Sequence, residues 1–146
     1  MEDNIHLENV NKKKTLTFVF VSGRKDLYVN DLIEAREHFY TLPLYDKQKY
    51  NINVIEFESN DLKNNFLYAI DRIFNKFLSL PFYMHKLTNK KNYKILKKSD
   101  HIFLINESTG FSVLPMVRAL NLFKKSNAKV HMFVMGYVRT YLRTYV

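Results

Sequence analysis

Four short polar segments, each at the end of an apolar run, carry the side chains best suited to bind a phosphate or a sugar. The first combines a flexible glycine with two cations, which suits a phosphate or a polyol. The second and third supply hydroxyls, amides and a carboxylate, which suit the hydroxyl groups of a sugar. The segments are Ser22-Gly23-Arg24-Lys25, Ser59-Asn60, Asn106-Glu107-Ser108-Thr109-Gly110 and Gly136.

Glu107 is the candidate catalytic residue, because a carboxylate at the end of a strand is well placed to take a proton from a hydroxyl group. Helices that begin at these segments are expected to present free N–H groups to an anion. The predicted substrate-binding residues are Ser22, Gly23, Arg24, Lys25, Asn106, Ser108, Thr109 and Gly136.

Several of these residues also have a simpler structural interpretation. Gly23 is explained equally by a turn that ends a strand, and Ser108-Thr109 by a cap on the following helix. Glu107 is explained equally by a solvated loop. The complete Gly-x-Gly-x-x-Gly and Gly-x-x-x-x-Gly-Lys-Ser/Thr fingerprints are absent from the sequence. The segments therefore indicate a kind of ligand and no particular nucleotide motif.

The elements that position these segments follow from apolar runs that alternate with helical spacing. The runs predict strands at 15–22, 52–57, 100–105 and 129–135, and the spacing predicts helices at 32–40, 62–78 and 113–125. In the last helix most of the apolar residues are expected to face inward, namely Leu114, Val117, Leu120, Leu122 and Phe123. Alternating strands and helices predict an α/β, Rossmann-like fold, a parallel sheet of about four core strands flanked by helices. The ligand crevice of such a sheet lies outside the carboxyl ends of its strands.

Composition excludes several classes of protein. The 146 residues include no cysteine, so disulfides and thiolate chemistry are excluded, and 47% hydrophobic content excludes a disordered chain. Scattered histidines with no metal-binding spacing predict neither a metal site nor a cofactor. His101 and His131 begin their predicted strands, so we expect them at the edge opposite the crevice. The expected organisation is a polar segment at 1–14, a Rossmann-like domain at 15–136 and a tail at 137–146.

The net charge of +9 is unevenly distributed along the chain. Residues 1–61 sum to −3, residues 62–100 to +7 and residues 101–146 to +5. Between Phe66 and Tyr83, six aromatic residues surround Arg72 and Lys76, as in a helix lying on an anionic bilayer. A core helix followed by a solvated lysine loop explains the same pattern, and nucleic acid is disfavoured because no recognised motif accompanies the charge. The predicted membrane or anion surface consists of Lys86, Lys90, Lys91, Lys94, Lys97 and Lys98.

The order of these segments resembles the N-terminal domain of GT-B glycosyltransferases, which use nucleotide-sugar donors. The resemblance rests on the strand that ends in Ser22-Gly23-Arg24-Lys25-Asp26, on KYNINVIEF, on SDHIFLINESTGFSVLPMVRAL and on KVHMFVMG. It runs from Thr15 to Gly136 and consists of strand and helix patterns with no catalytic signature. The tail from Tyr137 to Val146 departs from the family pattern.

The resemblance implies that this chain is the acceptor-side half of a two-domain enzyme and needs a donor-binding domain for transfer. Its partners are then a nucleotide sugar, a glycan or lipid-linked acceptor, and a second domain or a second copy of the chain. It also implies a cytoplasmic location, peripheral at the cytoplasmic face of the membrane. The alternative function is a non-enzymatic Rossmann-like module that binds anionic lipid, protein or nucleic acid through its basic middle segment.

Overall fold

A four-stranded parallel sheet forms the centre of the molecule. The computed structural model describes residues 13–29, 41–57, 66–123 and 126–133. The sheet has the order β2-β1-β3-β4, and each neighbouring pair is parallel. The strands are β1 (Lys14–Phe20), β2 (Tyr50–Glu56), β3 (His101–Leu104) and β4 (Lys129–Met132). The predicted α/β, Rossmann-like fold is confirmed.

Five helices flank the sheet in the described part of the chain. They are α1 (Lys25–Val29), α2 (Phe66–Leu78), α3 (Met84–Leu87), α4 (Lys90–Lys98) and α5 (Glu107–Leu122). None of the helices in these ranges is long and apolar enough to cross a bilayer. The helix predicted at 32–40, the segment Ser59-Asn60, Gly136 and the tail at 137–146 lie outside the described residues.

β1 is the central strand of the core and is buried on both faces. Every residue from Leu16 to Phe20 is buried, as the apolar and β-branched run predicts, and the hydroxyl of its polar residue Thr17 is hydrogen-bonded to Ser99 Oγ at 2.6 Å. On one face Val19 packs with residues of α3, α4 and α5, including Leu87 and Leu96. On the other face the Phe18 ring stacks on the Phe103 ring, with centroids 4.6 Å apart. β1 therefore joins two separate cores.

α5 begins six residues before the predicted start at Val113. Asn106 caps the helix, so Glu107 to Gly110 form its first turn, where the sequence analysis placed a loop. The other end of the helix also differs from the prediction, since Leu122 and Phe123 are 80% and 71% exposed. The inward positions expected in this helix are confirmed for Val117 and Leu120, which are buried, and were wrong for Leu122 and Phe123, which follow the last buried residue of the helix.

α2 is attached to the rest of the fold by its polar side chains. Asp71 Oδ2 accepts hydrogen bonds from the backbone N–H and the ring Nδ1 of His85, at 2.9 and 2.7 Å. Asn75 bonds the backbone of Phe82 twice, donating to its carbonyl at 3.0 Å and accepting from its N–H at 2.6 Å. The next residue, Tyr83, donates its backbone N–H to Ser112 Oγ at 2.8 Å, which connects the chain after α2 to α5.

Candidate functional site

The strand order creates a crevice between the carboxyl ends of β1 and β3. The chain leaves β1 toward β2, which lies on one side, and leaves β3 toward β4, which lies on the other. The two connections diverge, and the loops that follow the two strands border the gap between them. Residues 21–24 form the β1 side of the crevice and residues 105–107 form the β3 side.

On the β1 side, Glu56 occupies the backbone donors that were expected to meet an anion. Its Oε1 accepts hydrogen bonds from the backbone N–H groups of both Arg24 and Lys25, at the start of α1. The expectation of free N–H groups at this helix start was therefore wrong. Gly23 has a φ of +71°, so the simpler interpretation of a strand-ending turn is confirmed.

The side chains of this loop and of Lys25, the first residue of α1, remain as the candidate binding groups. Ser22 is exposed, and Arg24 and Lys25 are half-buried. Within the described ranges, neither cation forms an ion pair. This side of the crevice therefore offers two side-chain cations and one hydroxyl.

On the β3 side, Asn106 and Thr109 form a capping box. The Thr109 N–H donates to Asn106 Oδ1 at 2.9 Å, and the Asn106 N–H donates to Thr109 Oγ1 at 3.2 Å. Thr109 is fully buried and its hydroxyl donates to the Asn106 carbonyl, so the capping interpretation is confirmed for it. Ser108 contributes its carbonyl, which accepts a hydrogen bond from Ser112 Oγ at 2.6 Å.

Glu107 is the polar side chain of this crevice with an unmet hydrogen-bonding requirement. It is the first residue of α5, and its Oε1 atom is buried with no hydrogen-bond partner among the described residues. A buried acceptor without a donor costs about 1–3 kcal/mol, and more when it is charged. The positive end of the α5 dipole offsets part of this cost. The alternative of a solvated loop residue was wrong, because Glu107 is helical and Oε1 is shielded from water.

The buried polar pair of Asp71 and His85 was not predicted from the sequence. Asp71 is 1% exposed and the side chain of His85 is 8% exposed, and the Oδ1 atom of Asp71 has no partner in the described part of the chain. The two residues are 14 positions apart on different helices, so no local spacing links them. One feature of the sequence indicates the pair: Asp71 is the only acidic residue between Leu62 and Ser99.

Of the two strand histidines, only His101 begins its strand as expected. It is the first residue of β3, at the amino-terminal edge of the sheet, and its Nδ1 lies 2.9 Å from Nε2 of His131. The expected position of His131 was wrong, because it is the third of the four residues of β4, next to Phe103. Burial, followed by the charges of His131, Lys14 and Lys129, lowers the pKa of His101, and Asp100 partly opposes the change. Across the described ranges, no three His, Asp or Glu side chains are grouped closely enough to hold a metal ion.

The predicted lysine surface lies on α3 and α4. Leu96 and Asn92 bury the inner side of α4, whereas all five of its lysines are exposed. Lys86, on α3, is half-buried, with its Nζ 5.8 Å from the centre of the Tyr83 ring. The exposed lysines are Lys90, Lys91, Lys94, Lys97 and Lys98. Their role as an anion-binding surface stays a prediction.

The structure brings seven of the predicted substrate-binding residues to the carboxyl edge of the sheet, and Gly136 lies outside the described residues. Comparison with protein-family models, with curated proteins and with solved structures gave no match to this chain. The ligand that this site can bind is therefore indicated only by the arrangement of its own residues.

Proposed function

We propose that this chain is the acceptor-binding half of a nucleotide-sugar glycosyltransferase and that it holds the acceptor in the crevice between β1 and β3. One observation carries the proposal. Glu107 follows β3 at the point where the two strand connections diverge, and its Oε1 is buried with no hydrogen-bond partner among the described residues. We expect the side chain to turn toward the crevice when an acceptor binds, so that a sugar hydroxyl supplies the missing donor and the carboxylate accepts its proton as a general base.

The residues around Glu107 are suited to a phosphorylated or lipid-linked sugar. Arg24 and Lys25 pair with phosphate oxygens, because Arg24 lies in the loop that borders the crevice, Lys25 directly follows it as the first residue of α1, and neither is held in an ion pair within the described ranges. The Asn106 side-chain nitrogen and the Ser108 hydroxyl bond further sugar hydroxyls. Donor binding belongs to the second domain that the family resemblance implies.

The first test is binding of an acceptor analogue. Hexoses and hexose phosphates are titrated into ¹⁵N-labelled protein, and we expect amide shifts confined to residues 21–25 and 105–109. Replacing Glu107 by glutamine removes the charge on the acceptor oxygen, and we expect affinity to fall by about tenfold. Asp46→Asn is the matched control, because this exposed carboxylate lies before β2 at the opposite edge of the sheet.

The second test is transfer. A labelled nucleotide sugar and the best acceptor are incubated with the chain alone and with a separately supplied donor domain. We expect transfer in the second mixture only, and loss of transfer with Glu107→Gln. Absence of sugar binding in the titration, or binding that Glu107→Gln leaves unchanged, contradicts the proposal.

A further inference from the structure

α2 presents an apolar face to the outside of the molecule. Phe66, Ile73 and Phe77 are separated by seven and four positions, which places them on one side of the helix. They are 76%, 56% and 78% exposed. Helices on the surface of a globular protein normally bury such a stripe and expose their polar side. Here Asp71 is buried and Asn75 is half-buried, so the inner side of α2 carries two polar side chains beside half-buried apolar ones such as Leu67 and Ile70.

This orientation is fixed by specific hydrogen bonds. Asp71 accepts two bonds from His85, and Asn75 exchanges two with the backbone of Phe82. Turning α2 to bury its apolar face would break all four of these bonds and expose the Asp71 carboxylate. The outward stripe is therefore part of the folded structure.

The charges on α2 complement a negatively charged surface. Arg72 and Lys76 are exposed and lie beside the stripe, one turn apart. Asp71 is the only acidic residue of the helix, and it is buried. The exposed surface of α2 therefore combines large apolar side chains with cations and has no anionic side chain.

We propose that α2 lies in the headgroup region of an anionic lipid bilayer, with Phe66, Ile73 and Phe77 inserted and with Arg72 and Lys76 at the lipid phosphates. A helix of 13 residues is about 20 Å long, so it rests in the plane of the interface. Nearby cations each strengthen such attachment to anionic lipid. The attachment is independent of the sugar-binding crevice, because none of these residues borders the crevice.

A second copy of the chain fits this face less well. Two α2 helices packed through their stripes bring Arg72 and Lys76 of both copies together, and the helix offers no exposed carboxylate to pair with them. Like charges at such an interface weaken association. An anionic bilayer supplies the missing negative charge along the whole helix.

Vesicle co-sedimentation tests the proposal. We expect the protein to sediment with phosphatidylglycerol vesicles and to stay in solution with phosphatidylcholine vesicles. The double variant Phe66→Ser/Phe77→Ser should lower the vesicle affinity by about tenfold or more, since each ring loses its buried area in the bilayer. The matched control is Leu44→Ser/Leu122→Ser, because these side chains are 82% and 80% exposed elsewhere, and it should bind as the parent protein does.

A fluorescent probe reports insertion directly. The chain contains no tryptophan, so Phe77→Trp introduces a single reporter on the stripe, and Leu122→Trp introduces one on α5 as a control. We expect a blue shift of emission with phosphatidylglycerol vesicles for the first variant only. An unshifted Phe77→Trp spectrum on vesicle-bound protein overturns the proposal.

Charge variants separate α2 from the lysines of α4. Arg72→Gln/Lys76→Gln should lower vesicle binding more than Lys90→Gln/Lys91→Gln, and urea midpoints should stay at the parent value because all four side chains are exposed. Binding that depends on the α4 lysines and ignores Phe66→Ser/Phe77→Ser overturns the proposal. So does a parent protein that is dimeric by ultracentrifugation, becomes monomeric in Phe66→Ser/Phe77→Ser, and binds no vesicles.

Discussion

Replacing Asp71 by alanine removes the carboxylate that joins α2 to α3. The carboxylate accepts hydrogen bonds from the backbone N–H and the ring Nδ1 of His85, and both side chains are almost fully buried. A hydrogen bond to a charged group contributes about 1.5–3 kcal/mol, and a buried donor left without its acceptor costs about 1–3 kcal/mol. The substitution also removes the buried Oδ1 atom, which has no hydrogen-bond partner among the described residues, and this offsets part of the loss. We expect Asp71→Ala to lower the free energy of unfolding by about 3 kcal/mol.

The change is measured by urea unfolding followed by far-UV circular dichroism. A loss of about 3 kcal/mol shifts the midpoint to lower urea without changing the slope, and it lowers the Tm by roughly 10 °C for a chain of this length. Asp71→Asn keeps one acceptor oxygen of the same shape, so we expect it to lose about half as much stability.

Asp46→Ala is the control for removing an acid of the same size. Its Oδ1 accepts one hydrogen bond from the Gln48 N–H at 2.7 Å in an exposed turn, so we expect a loss below about 1 kcal/mol. If Asp71→Ala destabilises the protein no more than Asp46→Ala does, the Asp71–His85 contact does not hold α2 in place, and the reasoning about its orientation fails.

Four further changes have expected outcomes that follow from backbone conformation, titration and burial. Ser79 has a φ of +51°, so Ser79→Gly should raise the free energy of unfolding by about 0.5–1 kcal/mol. Gly23 has a φ of +71° with open space around an added Cβ, so Gly23→Ala should lower the free energy of unfolding by about 1 kcal/mol. Chemical denaturation measures both changes. Because the folded state lowers the pKa of His101 below 6.5, the unfolded chain binds a proton more readily, and stability falls as the pH drops below 6.5. In His101→Asn, unfolding midpoints between pH 5 and pH 7.5 should therefore depend less on pH, and a dependence as steep as that of the parent protein refutes this role. Leu87→Ala truncates a core side chain that is 1% exposed and should lower the free energy of unfolding by about 3 kcal/mol. The control Leu44→Ala, at a side chain that is 82% exposed, should lower it by less than about 0.5 kcal/mol. Equal losses of stability would mean that α3 is not packed in the core.

The strands were predictable because their physical requirement is local. A run of apolar and β-branched residues such as Leu16 to Phe20 has no charged side chain on either face, so it indicates a central parallel strand without knowledge of its neighbours. The early start of α5 was hidden because Asn106-Glu107-Ser108-Thr109 resembles a loop by composition. Only the reciprocal bonds of Asn106 and Thr109 turn that stretch into a helix start.

The orientation of α2 could not be predicted from its periodicity. Spacing shows that Phe66, Ile73 and Phe77 share a face, but which face points inward depends on the partners of Asp71 and Asn75, and those come from a later segment. The role of Glu56 was hidden for the same reason. It is the last residue of β2, and its carboxylate reaches amides that follow β1, more than thirty positions earlier.

The position of β1 between β2 and β3 has a consequence for the order of folding. Lys14 pairs with Tyr50, whereas Leu16 pairs with His101, which is more than twice as distant along the chain. Because of chain entropy, closing the longer loop costs roughly 0.8 kcal/mol more free energy than closing the shorter one. Contacts between residues more distant along the chain also form more slowly. We therefore expect β1 and β2 to associate first and β3 to join them later. Because the crevice is bounded by β1 and β3, its two sides meet only at that later step, and a partly folded chain in which β3 is not yet paired lacks the assembled crevice.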